Sequence, residues 1–156
     1  MLKRVGVALL IAGALTAVAG CGTKKNDLAP AACLVGNEAY LRALQRAPGE
    51  VKLGGTTPIS GCLVPEQDAG QLADIGQQMV IAATKLNSAA RRDPTGPATL
   101  QLGYLSGAVA KGADPIHTDL VRRLNSASRF TLTGATPPAS FERAFGRGYA
   151  AGHASG

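Results

Sequence analysis

One long stretch of the chain, from Glu66 to Arg92, has no proline inside its helical pattern, and its apolar residues recur at helical spacing. Steps of three and four residues place side chains on one face of an α-helix. Glu66 and Asp68 stand in the first turn and two arginines close the last turn, an arrangement that complements the helix dipole. We predict a helix over this stretch, with an apolar stripe formed by Leu72, Ile75, Met79, Ala83, Leu86 and Ala90.

Four further helices are predicted from apolar spacing and from proline and glycine breaks. They cover residues 33–47, residues 97–111, a segment that starts at Asp114-Pro115, and a last segment that opens at Thr136-Pro137-Pro138. Aspartate before proline is a good start signal, because the side chain caps and the proline suits the first helical position. We expect these residues to face inward: in the first of these helices Leu34, Ala39, Leu41 and Leu44, and in the second Leu102, Leu105 and Val109. In the third they are Ile116, Leu120, Leu124 and Ala127, and in the last Phe141, Phe145 and Tyr149.

Three shorter features bear on how these helices pack. Gly103 and Gly107 form a pair of small residues four apart, which we expect to pack closely against the long helix. Residues 50–65 are rich in glycine and proline and predict a loop, in which residues 51–53 are extended but have no evident partner strand. Residues 130–133 alternate like a strand but fit a linker equally well.

The composition limits the size of the core. The chain of 156 residues has 20 glycines, three phenylalanines, three tyrosines and no tryptophan. Small side chains bury little area each, so we expect a thin, close-packed core. The predicted class is all-α: a small bundle of four to five helices with one disulfide.

The first residues have the parts of a secretory signal. Lys3 and Arg4 precede an uncharged, largely apolar run from Val5 to Gly20, and the run stops at Cys21. A positive start, a short apolar stretch and small residues at its end are typical of such signals. The run is shorter than the roughly 20 apolar residues that span a bilayer comfortably.

The end of this run, Val18-Ala19-Gly20-Cys21, resembles the lipobox of bacterial lipoproteins. The resemblance covers only the leader. It implies cleavage before Cys21, a diacylglycerol thioether on that cysteine, and a protein held on the outer side of the cytoplasmic membrane or in an outer membrane. The expected organisation is therefore a signal peptide at 1–20, a lipidated tether at 21–32, a helical domain at 33–152 and a disordered tail at 153–156.

Cys33 and Cys62 remain once Cys21 carries lipid. Exported proteins meet an oxidising compartment, so we expect these two to form a structural disulfide. Closing a loop of this length stabilises a fold by roughly 3–4 kcal/mol. A metal site or a redox-active pair is less favoured, because the chain has no Cys-x-x-Cys and no histidine near either cysteine in sequence.

The charge is moderately basic. The chain carries +6, and loss of Lys3 and Arg4 with the leader leaves +4. Nucleic acid is not expected as a partner, since no concentrated basic stripe with aromatic residues is present. Arg122 and Arg123 are a possible interaction surface, although a solvated helix face is the favoured interpretation.

No residue pattern predicts catalysis, a metal or a cofactor. His117 is the one histidine inside the predicted domain, and we expect it at the surface or in a helix cap. Ser106 lacks the glycine two positions earlier that a nucleophile elbow requires. The expected function is a non-enzymatic envelope lipoprotein that binds a protein or supports an assembly. The alternative is a binder of a small apolar ligand or an anionic envelope polymer in an interhelical cleft.

Overall fold

The computed structural model describes residues 28–131 and 135–156. It confirms the all-α class: five helices and one disulfide, with a single two-stranded ribbon among the described residues. None of the helices described is both long enough and apolar enough to cross a membrane. The helices are α1 (Asn37–Leu44), α2 (Ala69–Arg92), α3 (Pro97–Gly112), α4 (Thr118–Ala127) and α5 (Ala139–Ser155), and short 3-10 turns cover Ala31–Leu34, Ile59–Cys62 and Pro115–His117.

Helix α2 is the long helix that the sequence predicts, but it begins three residues later. Glu66 has a positive φ of 55°, which turns the chain before the helix. Asp68 then caps it, because its Oδ1 accepts the backbone N–H groups of Gly70 and Gln71 at 2.9 and 3.1 Å. The predicted stripe is confirmed, with Leu72 half-buried and its other members buried, namely Ile75, Met79, Ala83, Leu86 and Ala90.

Helix α3 lies at the centre of the domain. Every residue from Leu102 to Val109 is buried, so no face of this stretch is left to solvent. Its neighbours include α2, α4, α5 and the turn at 59–62. The sequence predicts that only one face of this helix is buried, whereas in the structure neighbouring elements bury residues 102–109 on every side.

The two glycines of α3 pack against α5, so the prediction that they contact the long helix is wrong. A Cβ on Gly103 would overlap the carbonyl oxygen of Phe145, and one on Gly107 would overlap that of Tyr149. Helix α5 offers matching small residues, because Gly148 and Gly152 lie against the backbone of α3. Because these four positions are glycines, no side chain separates the two helix backbones, and they come into direct contact.

This packing changes the role of the aromatic residues in α5. Phe141 is buried and Phe145 is half-buried, but Tyr149 is 39% exposed, so the predicted aromatic core stripe is only partly correct. Apart from Phe141, the buried residues of α5 are small, namely Ala144, Gly148 and Gly152. The expected disordered tail is also wrong: α5 continues to Ser155, and the carbonyl of Gly156 accepts a hydrogen bond from the Ser60 hydroxyl.

The first predicted helix divides into two elements. A 3-10 turn at 31–34 precedes α1, and Gly36 between them has a φ of 87°, which a helix cannot continue through. Leu34, which we expected in the core, is 44% exposed as a result.

The loop at 50–65 contains a short hairpin. Strand β1 (Lys52–Leu53) pairs antiparallel with β2 (Thr57–Pro58), which supplies the partner that the sequence did not reveal. Gly54 and Gly55 have positive φ angles and form the turn. Because proline is rare inside strands, Pro58 makes the second strand difficult to recognise from the sequence.

Helix α4 begins later than its start signal, since Pro115–His117 is a separate 3-10 turn. Leu120 and Leu124 are buried as predicted, but Ile116 lies in that turn and is 46% exposed. The alternating residues after Phe130 fall partly outside the described ranges.

Candidate functional site

The outer face of α4 borders a groove. Thr118, Arg122 and Asn125 follow one another along α4 at steps of three and four residues, and Arg129 continues the series just beyond the helix. They line a cavity of about 500 Å³. Its remaining lining residues are Ala113, Asp114, Val121 and Ser126.

A second cavity, of about 410 Å³, adjoins the first and shares Asn125 and Arg129 with it. Three rings line it: Phe130 and Phe141 lie 4.6 Å apart between centroids, and Phe141 and Phe145 lie 5.7 Å apart. We call the two joined cavities the arginine groove. It therefore combines a half beside α4 that is lined by Arg122 and Arg129 with an aromatic half beside the start of α5.

Helix α2 fixes the backbone at the middle of this groove. The Asn87 side-chain amide donates to the carbonyls of Ala127 and Arg129, at 2.8 and 2.7 Å. The Arg91 guanidinium donates to the same Arg129 carbonyl at 2.7 Å. These bonds satisfy carbonyl groups at and just beyond the end of α4 and hold the backbone of Arg129 in one place.

The charge of the groove is positive. Arg122 forms an ion pair with Asp119, but the two side chains are 76% and 61% exposed, so water screens the pair strongly. The Asp114 carboxylate already accepts the backbone N–H of Ile116 at 3.1 Å. Within residues 28–131 and 135–156, the Arg129 guanidinium has no carboxylate within ion-pair distance, so the groove can accept an anionic group there.

The structure separates the two arginines that the sequence singles out. Both are exposed, as expected of an α4 surface. Arg123 instead lines a smaller cavity of about 220 Å³ with Ile116 and Leu120, on the flank of α4 that faces α2. Arg122 lines the same cavity as Arg129, which the sequence did not single out. The seven-residue spacing of these two is the signal that could have found it.

His117 is completely buried, so the expectation of a cap is confirmed and that of a surface position is wrong. Its Nδ1 accepts the backbone N–H of Asp114 at 3.1 Å, and its Nε2 lies 3.1 Å from Oε1 of Gln67. With Nδ1 accepting, Nε2 carries the proton and donates to Gln67. The Gln67 amide in turn donates to the Cys62 carbonyl at 3.2 Å. His117 therefore connects the start of α4 to the disulfide loop.

Cys33 and Cys62 form the predicted disulfide, with Cα atoms 5.6 Å apart. Tyr40 packs beside it: its hydroxyl donates to the Cys33 carbonyl at 2.9 Å and lies 3.7 Å from the Cys62 sulfur. Burial raises the pKa of the Tyr40 phenol well above its usual value. The disulfide and its surroundings are a structural assembly in the core.

The other sequence candidates have structural roles. The buried Ser106 hydroxyl donates to the Leu102 carbonyl of its own helix at 3.0 Å. In the described part of the chain, no three side chains of the metal-binding types come together. Cys21 lies outside the described residues.

The fold defines a small, disulfide-linked helical domain with a basic groove that has an aromatic end. No protein-family model, curated protein or solved structure matches the chain significantly.

Proposed function

We propose that this chain is a lipid-anchored cell-envelope protein without catalytic activity, which binds an acidic partner protein through the arginine groove. One observation carries the binding proposal: Arg122 and Arg129 face the same cavity, beside a cluster of phenylalanine rings. Arginine and aromatic residues are enriched where proteins bind each other, because both combine large contact area with directional interactions.

The envelope location is proposed from the leader and is supported by the disulfide. Lys3-Arg4, the apolar run and the lipobox-like residues 18–21 together predict export and lipid on Cys21. Disulfides persist in oxidising compartments and are rare in the cytosol. The Cys33–Cys62 bond therefore fits a domain that folds after export.

The groove also limits the chemistry of its partner. Arg129 offers a guanidinium for carboxylates, and Arg122 can exchange its exposed ion pair with Asp119 for a similar contact in a partner. The adjacent rings favour an apolar side chain next to the acidic group. We therefore expect a partner segment that presents aspartate or glutamate close to an apolar residue.

A cross-linked pull-down of the full-length protein from its own envelope tests this proposal. The test variant is Arg122→Glu with Arg129→Glu. The matched control is Arg143→Glu with Arg147→Glu, which makes the same charge change at exposed positions of α5. We expect one enriched protein, which is lost in the test variant and kept in the control. Equal recovery with both variants would refute the groove as the binding surface.

A second candidate is a small ligand with an apolar body and one acidic group. The three rings beside Arg129 support it, since a cavity of about 410 Å³ falls within the range of small-molecule sites. An anionic envelope polymer would use the same arginines, and its binding would weaken with salt. Native mass spectrometry of the purified protein tests both, because a retained ligand or polymer fragment adds a defined mass. A mass equal to that of the processed protein alone, with no ligand-induced melting shift, would exclude them.

A further inference from the structure

The first eight described residues, 28–35, form an unbroken apolar sequence that lies on the surface of the domain, and we call them the N-terminal apolar segment. Leu28 is 73% exposed, Val35 61% and Leu34 44%. Pro30 and Ala31 are exposed as well, whereas Ala29 and Cys33 point into the core. Exposed apolar side chains that cluster, unlike single scattered ones, are typical of interaction sites.

Hydrogen bonds to α2 and the disulfide fix the backbone of this segment to the domain. The N–H of Ala29 donates to Oε1 of Gln71 at 3.1 Å, and the N–H of Asn37 donates to Oε1 of Gln78 at 2.9 Å. These two glutamines are seven residues apart in α2, which is about 10 Å along the helix axis. Between them the Cys33 disulfide fixes the middle of the segment. The exposed side chains are therefore presented on a fixed support.

The position of the segment in the chain indicates what covers it. Seven peptide units separate Leu28 from Cys21, so the two lie at most about 25 Å apart. Under the proposed lipid anchor, on which this inference rests, Cys21 sits at the membrane surface and holds Leu28, the first residue of the segment, within that distance of it. Lys24, Lys25 and Asp27 lie in between, and their net charge of +1 favours contact with anionic head groups.

We propose that the N-terminal apolar segment is a membrane-docking surface, which inserts Leu28, Leu34 and Val35 into the interface of the bilayer that holds Cys21. No residue of the segment is charged, so its insertion buries no ion. The first charged residue after it, Glu38, forms an ion pair with Lys85. Docking fixes the orientation of the domain, which a tether alone would leave variable.

Depth-dependent quenching tests the docking. Full-length, lipidated protein is placed on vesicles of phosphatidylethanolamine and phosphatidylglycerol that contain lipids with spin-labelled acyl chains. A coumarin amino acid replaces Leu34 in one sample and Ile116 in the control, since Ile116 is similarly exposed but lies beside α2 and α4 on another surface. We expect strong quenching at position 34 and little at position 116, because interfacial side chains reach about 5–10 Å into the bilayer.

A second pair of samples shows whether the apolar side chains cause the contact. The probe replaces Ala31, which is exposed, with Leu28 and Val35 either kept or both changed to Gln. These changes remove exposed side chains only, and an unchanged melting temperature confirms the fold. We expect the substitutions to abolish most of the quenching at position 31.

Flotation of the vesicles separates this inference from the anchor. Protein that does not float with the vesicles would refute both the lipid anchor and the docking. Protein that floats but is not quenched at positions 31 and 34 would refute the docking alone. Equal quenching at position 116, or a dimer formed through the segment in place of membrane contact, would also overturn it.

Discussion

Gly148 of α5 packs directly on the carbonyl oxygen of Leu100 in α3, with no room for a side chain between the two backbones. Gly152 repeats the contact one turn later against Tyr104, and Gly103 and Gly107 of α3 reciprocate. The contact between α3 and α5, the most extensive between two described helices, thus depends on glycines. A core poor in large residues gains its cohesion from this close approach.

This contact predicts opposite effects of the same substitution at two neighbouring glycines. Gly148→Ala should lower the free energy of unfolding by about 1–3 kcal/mol, because the new methyl group meets rigid backbone. Gly146→Ala in the same helix adds its methyl group to open space and should raise that free energy by up to about 1 kcal/mol. Urea denaturation measures both. A loss of stability at position 146 equal to that at position 148 would argue against close backbone packing.

Tyr40 predicts a decline in stability at alkaline pH. Burial raises its folded-state pKa above the ordinary 10.0, so the unfolded chain releases the phenolic proton at lower pH than the folded one. The stabilisation is fully present below about pH 10 and is lost as the pH rises further, by at most about 1.4 kcal/mol per pH unit. Tyr40→Phe should remove this part of the decline. Parallel pH profiles of the free energy of unfolding in the two proteins would contradict the prediction.

The same substitution has an effect at neutral pH. Tyr40→Phe removes the hydrogen bond to the Cys33 carbonyl and should cost about 1–3 kcal/mol, because that buried acceptor loses its partner. Tyr149→Phe, at an exposed position, is the control and should change the free energy of unfolding little. Chemical denaturation at neutral pH distinguishes the two variants.

The disulfide should account for a large share of the stability. Replacing Cys33 and Cys62 together by Ala removes a link across 29 residues and should cost roughly 3–4 kcal/mol. The midpoint of urea denaturation, measured with and without reducing agent, checks this. Reductant should lower the midpoint of the original protein and leave that of the double variant unchanged. Equal midpoints for the oxidised original and the double variant would contradict the prediction.

The buried hydrogen bond between Gln67 and His117 should also contribute to stability. Gln67→Ala leaves the His117 Nε2–H and the Cys62 carbonyl without partners in the core, which should cost about 1–3 kcal/mol or more. Gln77→Ala, at an exposed position of α2, is the control and should change little. Thermal unfolding of the two variants gives the comparison. Similar melting temperatures would show that the link contributes nothing.

The sequence predicts this fold best where one regular pattern dominates. The apolar spacing from Leu72 to Ala90 identifies α2, and its cap needs only Asp68. The glycine pair in α3 correctly indicates close packing, but spacing on one helix cannot name the partner. Gly148 and Gly152 show the same four-residue spacing in α5. The aromatic residues of that helix are the more prominent pattern, so the sequence does not identify these two glycines as the packing partners.

The candidate site was harder to predict because tertiary contacts assemble it. Arg122 is visible on a predicted helix face, whereas Arg129 lies beyond the helix and is placed by Asn87 and Arg91 of α2. Burial of His117 depends on Gln67, which is 50 residues away in sequence. Exposure of Leu34 follows from the positive φ of Gly36, which apolar spacing alone does not reveal.

The intact mass and N-terminal sequence of the protein, extracted from its own membranes, test the central claim most directly. The proposed lipid anchor predicts a chain that begins at Cys21 and carries a diacylglycerol thioether, while Cys21→Ala prevents both cleavage there and lipid attachment. A membrane-extracted protein that retains residues 1–20, or one that begins at another residue without lipid, would contradict the account.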